Sequence, residues 1–183
     1  MAPVPRPPQP MMATLRVSPT RLWPANAFDA HGLKINPLAA TVVLDRLQDP
    51  GNVGSILRSA SAFGFQQIIS IKGSCALWSP KVLRSSMGAH FALTLIEGKS
   101  VEDISMLKVP LLATSSHEGS FVGKTHLPWP CAWVLGHEGQ GVQAALEQMA
   151  TQKLRINQPG GEESLNVAAA ASICLFASSL HQN

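Results

Sequence analysis

Residues 164–180 read SLNVAAAASICLFASSL, a run with no Gly, no Pro and no charged side chain. Apolar or small side chains occupy nearly every face of this run at helical spacing, a pattern typical of a helix enclosed by protein on most sides. Its small alanine side chains allow the backbone of neighbouring segments to pack closely against it. Ser164 stands at the position of an N-cap, and Asn166 follows within the first turn. The sequence therefore predicts a buried C-terminal helix capped by Ser164.

Strand and helix patterns alternate along the chain before this helix. Apolar and β-branched runs predict strands at residues 41–47, 67–71, 91–96, 109–114 and 131–135, with a further short apolar segment at 153–157. Apolar stripes and N-cap signals such as Ser79-Pro80 predict helices at residues 52–63, 79–86, 101–107 and 142–150. Strands that alternate with helices indicate an α/β domain built on a parallel sheet covered on both faces.

The first 37 residues differ from the rest of the chain. Residues 1–12, MAPVPRPPQPMM, are rich in proline, which suits neither a helix interior nor a strand ladder. Residues 13–37 show no regular pattern. We therefore divide the chain into a Pro-rich tail and irregular arm at 1–37 and one domain at 38–183, which is long enough to bury a core.

Composition limits the class of protein. Of the 183 residues, 45% are hydrophobic and 14% are charged, and the low charge suggests apolar surface shared with a second subunit. The net charge of +3 is compatible with a polyanionic partner but does not predict one. The three cysteines are scattered, without a CxxC or a histidine at metal-ligand spacing, and so predict small buried residues and no metal site. We find no signal-peptide pattern and no convincing membrane span, and therefore expect a cytoplasmic protein.

Three loops rich in Gly, Pro and Asn lead from predicted strands into predicted helices. Their sequences are DPGNVG at 49–54, GHEGQG at 136–141 and QPGG at 158–161. Glycines allow backbone to approach a ligand, and loops after parallel strands meet at one edge of the sheet. None of the loops is a phosphate-binding fingerprint, because both GxxxxGK[ST] and a GxGxxG after a strand are missing. We therefore predict one shared pocket.

The stretches DPGNVGSILRSASAFGF, WVLGHEGQGV and LRINQPGGEESLNVAAAASICLFA resemble, in this order, the three motifs of the SpoU (TrmH-like) family of RNA ribose methyltransferases. The resemblance covers about residues 41–180. It implies an α/β SPOUT methyltransferase domain with a C-terminal deep trefoil knot, a rare feature among folds. It also implies a homodimer that transfers a methyl group from S-adenosyl-L-methionine to a ribose 2′-hydroxyl of RNA, without metal or membrane. The stretches DPGNVGSILRSA and SPKVLRSSMGAHF look closer to rRNA-type members and favour rRNA over tRNA.

The resemblance assigns roles position by position. It implies an active site that contains Asn52, Arg58, Glu138, Ser164 and Asn166. It implies a cofactor site in the knot loops, around Thr114, Gly136, Ile156 and Leu165. It places two cations against RNA, Lys81 and Arg84. His137 stands where the family often has Asn, which leaves any contact by this side chain open.

Elementary chemistry suits these side chains to the implied reaction. Methyl transfer from a sulfonium is an in-line displacement, so the protein must align the hydroxyl and help its proton leave. Arg58 is the cation of the first motif, and a guanidinium stays protonated in proteins. We therefore expect Arg58 to bind the adjoining phosphate and to stabilise the developing alkoxide rather than to act as a base. Short side chains such as those of Asn52 and Asn166 can donate to and accept from ribose.

Each assigned residue also has an ordinary structural alternative. Asn52 and Ser164 could simply cap helices, Arg58 could be a solvated surface side chain, and Glu138 could be only a first-turn helix charge. Four other functions stay open for the whole protein. These are methylation of a tRNA ribose, methylation of a base, a catalytically silent RNA-binding or assembly factor on the same fold, and an unrelated nucleotide-binding domain, which the missing phosphate fingerprints disfavour.

Overall fold

A seven-stranded sheet forms the centre of the computed structural model, which describes residues 34–160 and 165–182. The strands in chain order are β1 (Thr41–Leu44), β2 (Gln67–Ile71), β3 (Thr94–Lys99), β4 (Leu111–Thr114), β5 (Ser120–Phe121), β6 (Ala132–Leu135) and β7 (Gln152–Arg155). Their spatial order is β3-β2-β1-β6-β4-β7-β5, and every pairing is parallel. The predicted α/β class with a parallel sheet is confirmed.

Helices connect these strands and cover both faces of the sheet. The α-helices of the described ranges are α1 (Pro50–Ala62), α2 (Pro80–Ser86), α3 (Ala144–Met149) and α4 (Val167–Ser179). Short 3₁₀ segments lie at Ala89–Ala92, Glu102–Met106 and Val122–Lys124. The Ser79 side chain caps α2, as the sequence predicts. No helix in the described ranges combines the length and the hydropathy needed to cross a bilayer.

Four segments differ clearly from the sequence-based prediction. The strand expected at 41–47 is shorter, at 41–44, because the backbone turns into a left-handed conformation two residues later. The strand expected at 91–96 begins only at Thr94, because a 3₁₀ turn precedes it. Buried His90 holds this turn: its Nε2 donates to the Leu77 carbonyl oxygen at 2.7 Å, and its Nδ1 lies 2.6 Å from Ser86 Oγ. The helix expected at 101–107 is a shorter 3₁₀ segment. Strand β5 escapes prediction because two residues carry too short a pattern.

Apolar side chains from alternate strand positions build a core on each face of the sheet. Within β1, Val42 and Leu44 belong to the core that contains α1, α2 and α4, whereas Val43 belongs to the core that contains α3. This alternation is the period of two expected of a strand, and burial on both faces is typical of parallel sheets. Fully buried Trp133 of β6 joins sheet and helix, since its Nε1 donates to Ser178 Oγ of α4 at 2.8 Å.

The C-terminal helix α4 is only half enclosed by the chain. One face packs against α1 and β6 through buried Ala168, Ala171, Cys174, Leu175 and Ser178. On the other face, Ile173, Phe176 and Leu180 are 41%, 50% and 66% exposed. The predicted enclosure on most sides is therefore wrong for a single chain, because α4 lies in the outer layer with one face toward the sheet.

The cap of α4 also differs from the prediction. The helix begins directly after Asn166, whose Oδ1 accepts from the amides of Ala168 and Ala169 at 2.9 Å and 3.3 Å. Asn166 rather than Ser164 is the N-cap, because a side-chain oxygen one residue before the helix reaches the free first-turn N–H groups. Ser164 itself lies outside the described residues, as do residues 1–33 of the predicted tail and arm. The division of the chain at residue 37 stays a prediction.

Candidate active site

A cavity of about 660 Å³ opens at the carboxyl edge of the sheet, where the loops after β4, β6 and β7 meet. Its walls include residues 114–117, residues 136–142 and, from the third motif, Ile156, Gln158, Leu165 and Asn166. The volume lies in the range of small-molecule sites. The second and third glycine-rich loops therefore share a pocket, as predicted. Residues 49–54 of the first loop do not line the pocket. They contact its lining through the hydrogen bonds of Asn52 with Glu138 and Asn166.

A chain of hydrogen bonds joins the three motifs beside this cavity. Asn166 Nδ2 donates to Asn52 Oδ1 at 3.0 Å, and Asn52 Nδ2 donates to Glu138 Oε1 at 3.2 Å. Asn52 is separated from Glu138 by 86 residues and from Asn166 by 114 residues, so only the tertiary fold brings them together. Three of the predicted active-site residues thus form one polar cluster, which we call the amide chain.

The structural alternatives for Asn52 and Glu138 are wrong. Helix α1 is capped by Asp49, whose Oδ1 accepts from the Asn52 backbone amide at 2.7 Å. The Asn52 side chain is therefore free to join the amide chain. Glu138 is not a first-turn charge either, because α3 begins only at Ala144, six residues further on. Both side chains form hydrogen bonds between loops and do not stabilise a helix terminus.

The predicted cations lie outside the amide chain, on the exposed surfaces of α1 and α2. The side chains of Arg58, Lys81 and Arg84 form no hydrogen bond or ion pair with any described residue. Close packing at Gly54 fixes α2 beside α1, since a Cβ there would meet Ser85 Oγ at 2.0 Å. The three cations are thus carried by two helices in direct contact.

All four residues predicted to hold the cofactor line the cavity. They are Thr114, Gly136, Ile156 and Leu165. Thr114 Oγ1 donates to the Val134 carbonyl oxygen at 3.0 Å and so ties β4 to β6. A Cβ on Gly136 would lie 2.2 Å from the Gly141 carbonyl carbon and from the Val142 nitrogen. Only glycine lets this loop fold back on itself at the wall of the cavity.

Side chains from the second and third loops complete the walls. His137 closes a tight turn, because its Nδ1 accepts from the Gly139 amide at 3.1 Å while its backbone pairs with Gly141 at 3.0 Å and 2.8 Å. The histidine that departs from the family pattern therefore shapes the loop. Gln158 contributes a buried Oε1 with no hydrogen-bond partner among the described residues. Such an atom is satisfied when a ligand donates to it.

Sequence reasoning missed a buried carboxylate next to this loop. Asp45 follows β1 directly, and its Oδ1 and Oδ2 accept from the side chain and the backbone amide of Gln143, both at 2.7 Å. Arg46 pairs with Asp45 at 2.9 Å, and this hydrogen bond raises the pKa of the Arg46 guanidinium. The missed signal is an acidic residue at the carboxyl end of an apolar strand, where parallel sheets bind ligands.

The buried thiols near the site are not reactive groups. Burial raises the pKa of Cys174, which lines the cavity, to about 12 and that of Cys131 to about 11. Both stay protonated at neutral pH, whereas a thiolate is the nucleophile and the metal ligand. Within residues 34–160 and 165–182, no group of three His, Cys, Asp or Glu side chains could hold a metal ion.

Solved structures similar to this one include methyltransferases in complex with AdoMet. An AdoMet-bound rRNA methyltransferase from Sinorhizobium meliloti superposes with a TM-score of 0.74 and 30% identity over 81% of this chain and 59% of that one. The SpoU methyltransferase AviRb from Streptomyces viridochromogenes, in complex with AdoMet, has a TM-score of 0.71 and 27% identity over 87% of this chain and 66% of that one.

The chain belongs to the SpoU rRNA methylase family, whose model matches residues 39–176. The 23S rRNA (guanosine(2553)-2′-O)-methyltransferase RlmP of Bacillus subtilis is 31% identical over 146 residues. That alignment covers 78% of this chain and 59% of RlmP. The chain thus spans between half and two thirds of the length of such relatives.

Proposed function

We propose that this chain transfers a methyl group from S-adenosyl-L-methionine to a ribose 2′-hydroxyl of ribosomal RNA. The observation that carries the proposal is the amide chain Asn166–Asn52–Glu138 beside a cavity of small-molecule size. Arg58 on α1 adds a cation that has no ion-pair partner within the described ranges. RlmP and the Sinorhizobium enzyme are both named as rRNA methyltransferases, which supports rRNA over tRNA as the substrate class.

The cavity fits S-adenosyl-L-methionine on three grounds. Its volume suits a molecule of this size, its wall at Gly136 leaves no room for a side chain, and Gln158 offers a buried acceptor that has no partner among the described residues. We assign the binding of the cofactor to Thr114, Gly136, Ile156 and Leu165. The cofactor, when bound, supplies the electrophilic methyl group.

Arg58 has the role of stabilising charge on the RNA. Removing the proton of a ribose hydroxyl develops an alkoxide, which nearby positive charge stabilises most in a site that excludes water. A guanidinium cannot take that proton, because it stays protonated at any pH the protein tolerates. Arg58 therefore binds the adjoining phosphate and the developing oxyanion, and the proton leaves to phosphate or water.

The members of the amide chain orient the substrate. The oxygens of Asn52 and Asn166 are already engaged, one by the other amide and one by the first turn of α4. Each side-chain amide still has a second N–H, and the Glu138 carboxylate has a second oxygen. These remaining groups can bind ribose hydroxyls and phosphate oxygens in a fixed direction. Ser164 joins this set as a prediction from the family resemblance.

We further propose that the active protein is a homodimer that buries the exposed face of α4. Ala169, Ile173, Phe176 and Leu180 follow one another at helical spacing and form an exposed apolar stripe. A second copy of this chain would remove the stripe from water. Light scattering on the purified chain tests this: the wild type is expected at twice the chain mass and Phe176→Asp at the chain mass. A monomeric wild type would contradict it.

Two finer features complete the proposal. We infer that the C-terminal part is threaded as a trefoil knot, which is supported by the return of the chain after β7 to pack α4 against α1 and β6. We also place the protein in the cytoplasm, since Cys75, Cys131 and Cys174 are all free thiols, as expected in a reducing compartment.

The test is methyl transfer from labelled S-adenosyl-L-methionine to unmodified rRNA and tRNA pools, followed by mass spectrometry of the nucleosides. We expect a 2′-O-methylnucleoside in rRNA. The same product in tRNA alone would overturn the substrate class, and a methylated base would overturn the ribose position. Cofactor binding without any product on rRNA or assembled ribosomal subunits would favour a silent RNA-binding factor.

A further inference from the structure

The buried carboxylate of Asp45 has no part in the proposed chemistry. It lies at the carboxyl end of β1, and its side chain is 0% exposed. A buried charge is costly unless hydrogen bonds satisfy it. Here Oδ1 accepts from Gln143 Nε2 at 2.7 Å and from Arg46 Nε at 2.9 Å, while Oδ2 accepts from the Gln143 backbone N–H at 2.7 Å. These bonds fix the residue that ends the loop after β6.

Arg46 holds the same loop at two further points. Its Nη1 donates to Gln140 Oε1 at 2.8 Å, and its Nη2 donates to the Gly141 carbonyl oxygen at 3.3 Å. Together with the bonds of Asp45 to Gln143, these contacts reach three of the last four residues of the segment 136–143, which we call the glycine loop. The two neighbouring residues after β1 therefore clamp one side of the cavity.

The backbone of Arg46 is held in an unfavourable conformation. Its φ is +59°, in the left-handed region that side chains other than glycine rarely adopt. Strain of this kind persists where surrounding contacts over-determine the backbone, and it concentrates at functional sites. The contacts that hold Arg46 are those with Asp45 and the glycine loop. The strained turn is therefore part of the clamp.

The glycine loop depends on such polar contacts. Residues 138–141 are exposed, so little apolar burial holds them, and segments with few buried contacts open most easily. Yet this loop lines the cavity and carries Glu138, the end of the amide chain. Its conformation decides both the shape of the cofactor wall and the contact with Asn52.

We propose that Asp45 and Arg46 are positioning residues that hold the glycine loop in the conformation that binds S-adenosyl-L-methionine and presents Glu138 to Asn52. The inference rests on the proposed function. Neither residue lines the cavity. They act through Gln140, Gly141 and Gln143.

Arg46→Gly is the most informative variant, because glycine accepts the left-handed backbone while the guanidinium contacts are lost. Met87→Gly is its matched control. Met87 is the other described non-glycine residue with positive φ, at +50°, and it is 77% exposed at the end of α2. Both substitutions relieve the same kind of strain, but only Arg46→Gly releases the glycine loop. Gln140→Ala removes one clamp contact without altering the strained backbone.

Two measurements on the full chain separate positioning from stability. Titration calorimetry is expected to show about tenfold weaker binding of S-adenosyl-L-methionine for Arg46→Gly, severalfold weaker binding for Gln140→Ala and no change for Met87→Gly. In Arg46→Gly without cofactor, hydrogen exchange is expected to be faster than in the wild type at the His137 and Gly141 amides, which are hydrogen-bonded within the loop. The melting temperature of Arg46→Gly is expected to fall by no more than a few degrees, because relief of the left-handed backbone strain offsets part of the lost ion pair with Asp45.

The outcomes distinguish this inference from the proposed function. If the wild type binds no S-adenosyl-L-methionine, the proposed function is wrong and the inference falls with it. If the wild type binds and Arg46→Gly and Gln140→Ala bind equally well with unchanged loop exchange, only the inference is wrong. A lower melting temperature with unchanged affinity would also overturn it, because that result is what a purely structural clamp produces. Asp45→Asn, which keeps the shape and removes the charge, must weaken affinity in the same direction.

Discussion

The amide chain and the cations of α1 and α2 differ in how the fold uses them. Asn52, Glu138 and Asn166 are bonded to one another, whereas the side chains of Arg58 and Arg84 have no hydrogen-bond or ion-pair partner in the described ranges. Side chains that already form hydrogen bonds lose little further conformational freedom when a ligand binds, and they can therefore orient it. Groups left unpaired keep their full capacity for an anionic ligand. In the proposed function, substrate positioning and charge stabilisation therefore belong to separate residues.

The largest effect is expected for Arg58→Ala. In the proposed reaction Arg58 stabilises the developing alkoxide, so its removal should lower the rate of methyl transfer about 10²- to 10³-fold. Cofactor affinity and melting temperature should stay unchanged, because Arg58 is exposed and lies outside the cavity. Single-turnover transfer to unmodified rRNA measures the rate. Arg84→Ala is the matched control, an exposed arginine on the neighbouring helix, and should lose only a few-fold. Equal losses in both variants would contradict the special role of Arg58.

Gly136→Ala tests the fixed wall of the cavity. The new Cβ would meet the backbone of Gly141 and Val142 at 2.2 Å, so the loop must move and cofactor affinity should fall by more than about tenfold. Gly139→Ala is the control, because the nearest atoms to its Cβ lie in the His137 ring at 3.9 Å. Calorimetric titration with S-adenosyl-L-methionine compares the two. Equal affinities would show that the close approach at Gly136 does not shape the cofactor site.

Asn166 combines a helix cap with a link to Asn52, and two substitutions separate these roles. Asn166→Ala loses both, and should lower the free energy of unfolding by about 1 kcal/mol and the transfer rate about tenfold. Asn166→Asp keeps an acceptor for the α4 amides but opposes the Asn52 oxygen with another acceptor. It should regain stability without regaining activity. Denaturant unfolding measures the stability, and methyl-transfer assays measure the rate. If Asn166→Asp recovered both the stability and the rate, Asn166 would act only as a helix cap.

The smallest effect is expected for Lys81→Ala. An exposed lysine that contacts one phosphate should weaken RNA binding a few-fold and lower the slope of log affinity against log salt by about one. The turnover rate at saturating RNA should not change. Filter binding over a salt series measures the slope. Lys108→Ala serves as the control. Lys108 is an exposed lysine before the amino end of β4, whereas the cavity lies at the carboxyl ends of the strands. A slope unchanged relative to the wild type would remove Lys81 from the RNA surface.

Much of the fold could be predicted because its signals are local. The strand predicted at 67–71 has both of its bounds in the structure, and the helix predicted at 79–86 begins one residue later, after its cap. Both agree because an apolar run, an N-cap and a proline each act over only a few positions. Prediction was less accurate where a tertiary contact competes with the local pattern. The turn held by buried His90 delays β3, and Asn166 replaces Ser164 as the cap of α4.

Local sequence patterns were enough to predict the alternation of strands and helices, the glycine-rich loops and the polar residues within them. They could not show that Asn166 and Glu138 both bond to Asn52, because those partners are 114 and 86 residues away. Nor could they show that Asp45 and Arg46 clamp the glycine loop through a left-handed backbone. These pairings depend on the tertiary structure, since the free energy that selects a hydrogen-bond partner depends on which groups the packed core brings within hydrogen-bonding distance of one another.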